Sequence, residues 1–224
     1  MRIIKKRKLS STQTEIKKYI YREKDVVLVA KTQTAGKGTK ERKFISLNGG
    51  LYFSVLKFNP PKNTFPISFL GCIAVCKTLE GYGVTPKIKW VNDVLAQGKK
   101  IAGILTENVY EGEEILYTII GVGLNVNNQI SNEIDNIAIS LKSVISKKIN
   151  KNKLLKEIVK NLFKSYTLDD YLKYCDFLEK EITLKEKDEE RKVFCLGIDK
   201  SGRLIVDDNG NKREIAVGEI SIGV

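Results

Sequence analysis

The sequence predicts an α+β fold, a central mixed β-sheet flanked by helices and followed by a small β-barrel. Three observations point to it. Short apolar, β-branched runs come in hairpin-like pairs with helical stretches between the groups, unlike a repeating βαβ chain. From Glu181 the pattern changes to short strands with turns at Lys200-Ser201-Gly202 and Asp208-Asn209-Gly210-Asn211. The charge changes at the same place. Residues 181–224 carry eight basic and ten acidic side chains, so the surplus of 39 Lys+Arg over 27 Asp+Glu lies wholly in residues 1–180. We therefore expect two domains, 1–179 and 180–224, from a chain of 224 residues.

Each element has its own signal. Residues 2–6 read as a short edge strand. Thr12 with Glu15 three residues on has the form of a capping box. Ile16, Tyr19 and Ile20 follow at helical spacing and predict a helix over 12–22. Asp25–Lys31 is a β-branched apolar run, hence a buried strand. Residues 32–43 form a polar, basic, glycine-containing loop, and Gly50–Phe58 is the next strand. Asn59–Pro66 contains three prolines and must be a loop. Pro66 suits the first turn of a helix whose stripe of Phe69, Leu70, Ile73, Cys76 and Leu79 runs to Gly81. Lys87–Val91, Val94–Ala96 and Lys100–Val109 read as strands, with hairpin turns at Gln97-Gly98 and Glu111-Gly112. Ile115–Val126 is a long apolar strand. Helices are expected over about 136–147 and 152–166, with more helix within 166–178.

Composition excludes several chemistries. The chain has no histidine, which removes Ser-His-Asp and Cys-His catalysis and every His-ligated metal site. Acid–base or electrophilic work falls to Lys, Arg, Asp, Glu, Tyr or the backbone. The four cysteines form no C-x-x-C pair, and Cys72 and Cys76 share an apolar helical face, so all are expected as reduced core thiols. No apolar run is long enough to span a bilayer, and no signal peptide is recognisable, so a cytoplasmic protein is expected. The formal charge of +12 fits nucleic acid, a phosphate-bearing substrate, an acidic partner or a solvated surface alike.

Four segments can carry chemistry. In Gln33-Thr34-Ala35-Gly36-Lys37-Gly38-Thr39-Lys40-Glu41-Arg42-Lys43-Phe44, two glycines bracket a lysine and more cations follow. Glycines let backbone N–H groups approach an anion, and the cations neutralise it. The spacing is neither a Walker A loop nor a dinucleotide fingerprint, and an exposed basic hairpin is the plain alternative. Lys89-Trp90-Val91-Asn92-Asp93 holds the only tryptophan. Read as a strand, it puts Lys89, Val91 and Asp93 on one face and Trp90 and Asn92 on the other. Gly103-Ile104-Leu105-Thr106-Glu107 follows Lys99-Lys100. Gly121-Val122-Gly123-Leu124-Asn125 alternates glycines in an apolar strand, the mark of a ligand or another backbone in close approach.

Taken in this order, the segments resemble the biotin protein ligases. The family's Ser-Thr-Asn looks like Ser11-Thr12-Gln13, and its arginine-rich glycine loop looks like Gly36 to Phe44. Its Lys-Trp-Pro-Asn-Asp looks like Lys89 to Asp93, and its Lys-x-x-Gly-Ile-Leu-x-Glu matches Lys100 to Glu107. Its Gly-x-Gly-x-Asn matches Gly121 to Asn125, and its terminal Gly-Glu-Ile-Ser matches Gly218 to Ser221. The loop departs from the family at Lys37, Thr39, Lys40 and Glu41, and at Phe44 where the family has Trp. Gln13 replaces Asn, and Val91 replaces Pro. Lysine keeps the charge but lacks the bidentate fork.

The resemblance implies a class II synthetase-like catalytic fold with an SH3-like C-terminal barrel. It implies an ATP-dependent ligase that forms biotinyl-5′-AMP and passes biotin to a lysine of a biotin carboxyl carrier protein domain of acetyl-CoA carboxylase or a related carboxylase. Lys89 and Lys37 become the catalytic cations. Ser11, Thr12, Gln33, Gly36, Lys37, Lys89, Gly103, Gly121 and Gly123 become the biotin site. Lys37, Gly38, Thr39, Lys40, Arg42, Phe44, Asn92 and Asn125 become the ATP and adenylate site. Mg2+ accompanies ATP, Asp93 offers it outer support, and no resident metal site is expected. About ten residues precede the Ser-Thr motif, too few for the helix-turn-helix domain of the repressor relatives. Hence no repressor function, no sequence-specific nucleic-acid binding and no membrane partner are expected, in a monomer or homodimer. The remaining positive charge suits an acidic carrier. The alternatives are a lipoate-protein ligase, a non-catalytic biotin-binding relative, and a basic nucleic-acid binder.

Overall fold

The computed structural model describes residues 1–39, 42–60, 65–187 and 189–221. Its larger sheet has seven strands in the order β1-β2-β3-β7-β6-β5-β4. These are β1 (Arg2–Leu9), β2 (Val26–Gln33), β3 (Leu51–Phe58), β4 (Lys87–Lys89), β5 (Asp93–Ala96), β6 (Lys99–Glu111) and β7 (Glu114–Leu124). β1 and β2 are parallel and every other pair is antiparallel, so the sheet is mixed as expected. Gln97 and Gly98 both have positive φ at the β5–β6 turn, the conformation a tight hairpin needs.

Helix α2 (Ile67–Glu80) covers one face of this sheet. Gly71 permits the approach, because a methyl group there would lie 2.7 Å from the Ile104 side chain on β6. Helix α4 (Lys151–Leu162) packs on α2, and Asn161 donates to Thr78 Oγ1 at 2.9 Å. The other face is covered near its β1 edge by the stretch after Ser11, where Ile16 joins Val26, Leu28, Leu56 and Ile119. The second sheet has five antiparallel strands in the order β11-β10-β9-β8-β12. They are β8 (Glu181–Glu186), β9 (Glu189–Ile198), β10 (Leu204–Asp208), β11 (Asn211–Ile215) and β12 (Glu219–Ser221). Its inner residues merge with the main core.

Three helical expectations are corrected. The 12–22 stretch is a single α-turn, α1 (Thr12–Glu15), followed by a 3-10 helix over Ile16–Arg22. No capping box forms, since Glu15 takes the Ser10 hydroxyl and the Lys18 ammonium while Thr12 bonds elsewhere. Within 136–147 only α3 (Leu141–Ile145) is helical, because Ile137 and Ile139 bond instead to the backbone of Lys100. Within 166–178 only α5 (Leu168–Leu172) is helical, closed at its start by a Thr167–Asp170 capping box. All four cysteines are free and buried, and burial pushes the Cys72 thiol far above its ordinary value. No helix among the described residues is long and apolar enough to cross a membrane.

Candidate active site

The sequence segments converge on one cavity of about 370 Å³. Its walls come from the α1 turn, the loop after β2, the β4–β5 turn, the facing strands β6 and β7, and the entry to β12.

At the α1 turn, β1 delivers Ser11, Thr12 and Gln13 into the interior, all three buried. Thr12 donates from N and Oγ1 to Gln33 Oε1 at 2.7 and 3.1 Å. Gln33 Nε2 in turn donates to Ser46 Oγ at 2.8 Å. Ser54 Oγ on β3 lies 3.0 Å from both Thr12 Oγ1 and Gln13 Oε1. Ser11 Oγ is buried without a hydrogen-bond partner among the described residues. An unpaired buried hydroxyl is costly, and this one lies on the cavity wall, within reach of a polar ligand. Ser46 and Ser54 were not singled out in the sequence, since nothing local distinguishes them.

The loop after β2 folds back on itself. Gly38 N donates to Arg42 O at 2.7 Å and Phe44 N donates to Gly36 O at 2.8 Å. Lys37, Gly38, Thr39 and Arg42 border the cavity, whereas Gly36 is buried behind them against Gln33 and Ser46. Lys40, expected here, and Glu41 lie outside the described residues. The Arg42 guanidinium meets the Glu219 carboxylate of β12 at 2.5 Å.

The Lys89–Asp93 segment is a hairpin turn rather than a continuous strand, because β4 ends at Lys89 and pairs there with Asp93. The expected two-face alternation therefore does not hold. Trp90 turns into the core, where its Nε1–H donates to Gly202 O at 3.0 Å. The Trp90–Val91 peptide is cis. Tyr171 of α5 donates to Val91 O at 3.0 Å. Asn92 Nδ2 donates to Ile104 O at 2.7 Å, and Ile104 N donates back to Asn92 O at 2.9 Å. The turn is thus fastened to the second sheet, to α5 and to β6. Lys89 borders the cavity from this frame and has no ion pair among the described residues. Asp93 pairs with Lys100 at 2.7 Å.

The three strand glycines form the floor. Gly103 and Gly123 are direct cross-strand partners. A methyl group at Gly123 would lie 2.7 Å from the Phe44 ring, and one at Gly103 3.3 Å from it. Phe44 therefore rests across both. Gly121 makes room for the Gln13 side chain. Asn125 borders a second cavity of about 190 Å³, with Phe44, Lys100, Ile134 and Ile137 among its walls. Phe44 and Lys100 thus separate the two spaces.

The Biotin/lipoate A/B protein ligase family matches residues 5–125, which hold every segment just described except the β12 entry. The chain belongs to this family. The Biotin protein ligase C terminal domain matches residues 177–223, so the second sheet is shared with the biotin-specific members. The bifunctional ligase/repressor BirA of Bacillus subtilis is 31% identical over 216 residues, covering 88% of this chain and 66% of that protein. The biotin–[acetyl-CoA-carboxylase] ligase of Mycobacterium tuberculosis is 27% identical, covering 87% of this chain and 78% of that one. The chain spans just under two thirds of the Bacillus subtilis ligase/repressor. Among solved structures, the biotin protein ligase of Aquifex aeolicus in complex with biotin and ATP superposes with a TM-score of 0.78 at 29% identity, covering 98% of this chain and 97% of that one. The fold of this ligase family, a mixed catalytic sheet with a small C-terminal β-domain, is the fold of this chain.

Proposed function

We propose that the chain activates biotin with ATP to biotinyl-5′-AMP and transfers the biotinyl group to a lysine of a biotin carboxyl carrier domain. One observation carries this reading. Lys89, without an ion pair among the described residues, shares a cavity with the unpartnered Ser11 hydroxyl and the cationic Lys37–Arg42 loop. Ser11 suits the ureido end of biotin, beside Thr12 and Gln33, which hold each other in place. A carboxylate approaching Lys89 is stabilised as its oxygen attacks the α-phosphorus and pyrophosphate leaves. Lys37 and Arg42 draw the phosphate charge toward that point. In the second step a neutral carrier amine attacks the acyl carbon, AMP leaves, and the amine's proton passes to solvent. Positioning and charge stabilisation do this work, and no histidine is needed.

Asn125 and Phe44 border the smaller apolar space, which suits an adenine ring. Magnesium enters with ATP as part of the substrate, and Asp93, held by Lys100, gives it at most distant support. The match of residues 177–223 to the biotin-specific C-terminal domain favours biotin over lipoate. Lys37, Arg42 and Lys89 at one cavity favour a ligase over a passive biotin binder. Biotin-dependent exchange of labelled pyrophosphate into ATP tests the reading. It should proceed with the native chain and be lost with Lys89→Ala, and an unaffected Lys89→Ala variant would overturn the role of Lys89.

A further inference from the structure

Lys89 ends the last strand of the seven-stranded sheet. β4 has three residues and pairs on one side only, with β5, and its final rung is Lys89↔Asp93. Trp90, Val91 and Asn92 lie outside the ladder, so their backbone groups need other partners. The segment after the start of α5 supplies two bonds here. Tyr174 O accepts from Ile88 N at 2.9 Å, and Tyr171 Oη donates to Val91 O at 3.0 Å. These bonds fall on either side of Lys89.

The Tyr171 hydroxyl is itself held from α2. Tyr171 is fully buried and its ring stacks on Phe69, with centroids 3.7 Å apart. Its neighbour Asp170 pairs with Lys77 at 3.0 Å. Cys72 Sγ, also on α2, lies 3.9 Å from Val91 O and adds only a weak second donor. Tyr171 does not border the cavity, and burial pushes its hydroxyl well above its ordinary pKa, so it stays protonated and donates. A phenylalanine would fill the same space and keep the stack. What the hydroxyl adds is direction, because a hydrogen bond fixes where one carbonyl points and packing alone does not. We propose that Tyr171 is a positioning residue for the adenylation step, aiming the Lys89 ammonium at the reacting oxygens by holding Val91 O. This deepens the proposed ligase function and rests on it and on the role of Lys89 there.

The test compares Tyr171→Phe with Asn161→Ala in the full chain. The second variant breaks the bond to Thr78 between α4 and α2, in the same helical layer and off the β4–β5 turn. In biotin-dependent pyrophosphate exchange, Tyr171→Phe should lower kcat about tenfold while KM for biotin and for ATP stays within about twofold. Asn161→Ala should lose some thermal stability and keep kcat within about twofold of native. Hydrogen exchange of the 88–92 amides should quicken in Tyr171→Phe and not in Asn161→Ala, a readout independent of turnover. Native kcat in Tyr171→Phe, an equal loss in the two variants, or unchanged exchange at 88–92 would overturn the proposal. A Tyr171→Phe chain that no longer folds would also overturn it, since the hydroxyl would then hold the fold rather than the turn. Absence of pyrophosphate exchange in the native chain would instead count against the ligase function itself.

Discussion

Arg42, in the loop after β2, is bonded to Glu219 on β12, the guanidinium Nη2 lying 2.5 Å from the carboxylate Oε1. The contact joins the loop after β2 in the first sheet to the terminal Gly-Glu-Ile-Ser segment of the second. Ala216, Val217 and Gly218 continue from it along the cavity wall. The second sheet therefore contributes to the wall of the cavity.

Glu219→Gln should free the loop end without unfolding the chain. An exposed ion pair contributes roughly 0–1 kcal/mol, so the melting temperature should move little. The KM for ATP should rise, by about tenfold if one charge-assisted bond is lost, while the KM for biotin stays near native. Steady-state kinetics with each substrate varied in turn checks this, and an unchanged KM for ATP would remove the coupling.

Gly123→Ala places a methyl group 2.7 Å from the Phe44 ring, so the ring must leave its seat over Gly103 and Gly123. Adenylate formation should fall in the single variant. Phe44→Ala combined with Gly123→Ala should remove the clash and recover part of the loss in biotin affinity, leaving the loss in ATP affinity that Phe44→Ala shows alone. A double-mutant cycle on the two KM values measures this coupling.

Trp90→Phe deletes the bond from Nε1 to Gly202 O and leaves that carbonyl buried without its partner, at a cost of about 1–3 kcal/mol. Because the same turn carries Lys89, kcat should fall along with stability. Thermal melting and single-turnover adenylation read the two effects. A fully stable variant with native kcat would show that the turn needs no fastening to the second sheet.

Acid should loosen the second sheet. Burial pushes the Glu186 carboxyl up, but its bonds from Arg191 at 2.6 Å and Arg213 at 2.9 Å outweigh that and hold it below the usual carboxylate value. A carboxyl lowered in the folded state contributes stability that is present above its unfolded pKa and lost as pH falls through the folded one. Stability should therefore decline below about pH 4.3 in the native chain, and Glu186→Gln should flatten that decline while lowering stability at pH 7. Denaturant unfolding across this range checks the sign.

Local signals carried much of this fold in the sequence. The β-branched run opening β2, the Gln97-Gly98 turn and the stripe of α2 are each settled by neighbouring residues. The 3-10 stretch after Glu15 was hidden because Thr12 bonds Gln33, 21 residues away. The 136–147 stretch was hidden because Ile137 and Ile139 bond the Lys100 backbone. The motif residues of the site were legible from type and spacing. Their supports were not: Ser54, Tyr171 and Gly202 act from other elements and carry no local mark. Likewise Gly36, expected among the biotin contacts, is buried behind the loop on folding.

The most direct measurement is the mass of a recombinant biotin carboxyl carrier domain after incubation with this chain, ATP, magnesium and either biotin or lipoate. The proposed ligase function predicts one added biotinyl group on a single lysine, dependent on ATP and lost with Lys89→Ala. An unmodified carrier, or lipoyl transfer in preference to biotinyl, would contradict it.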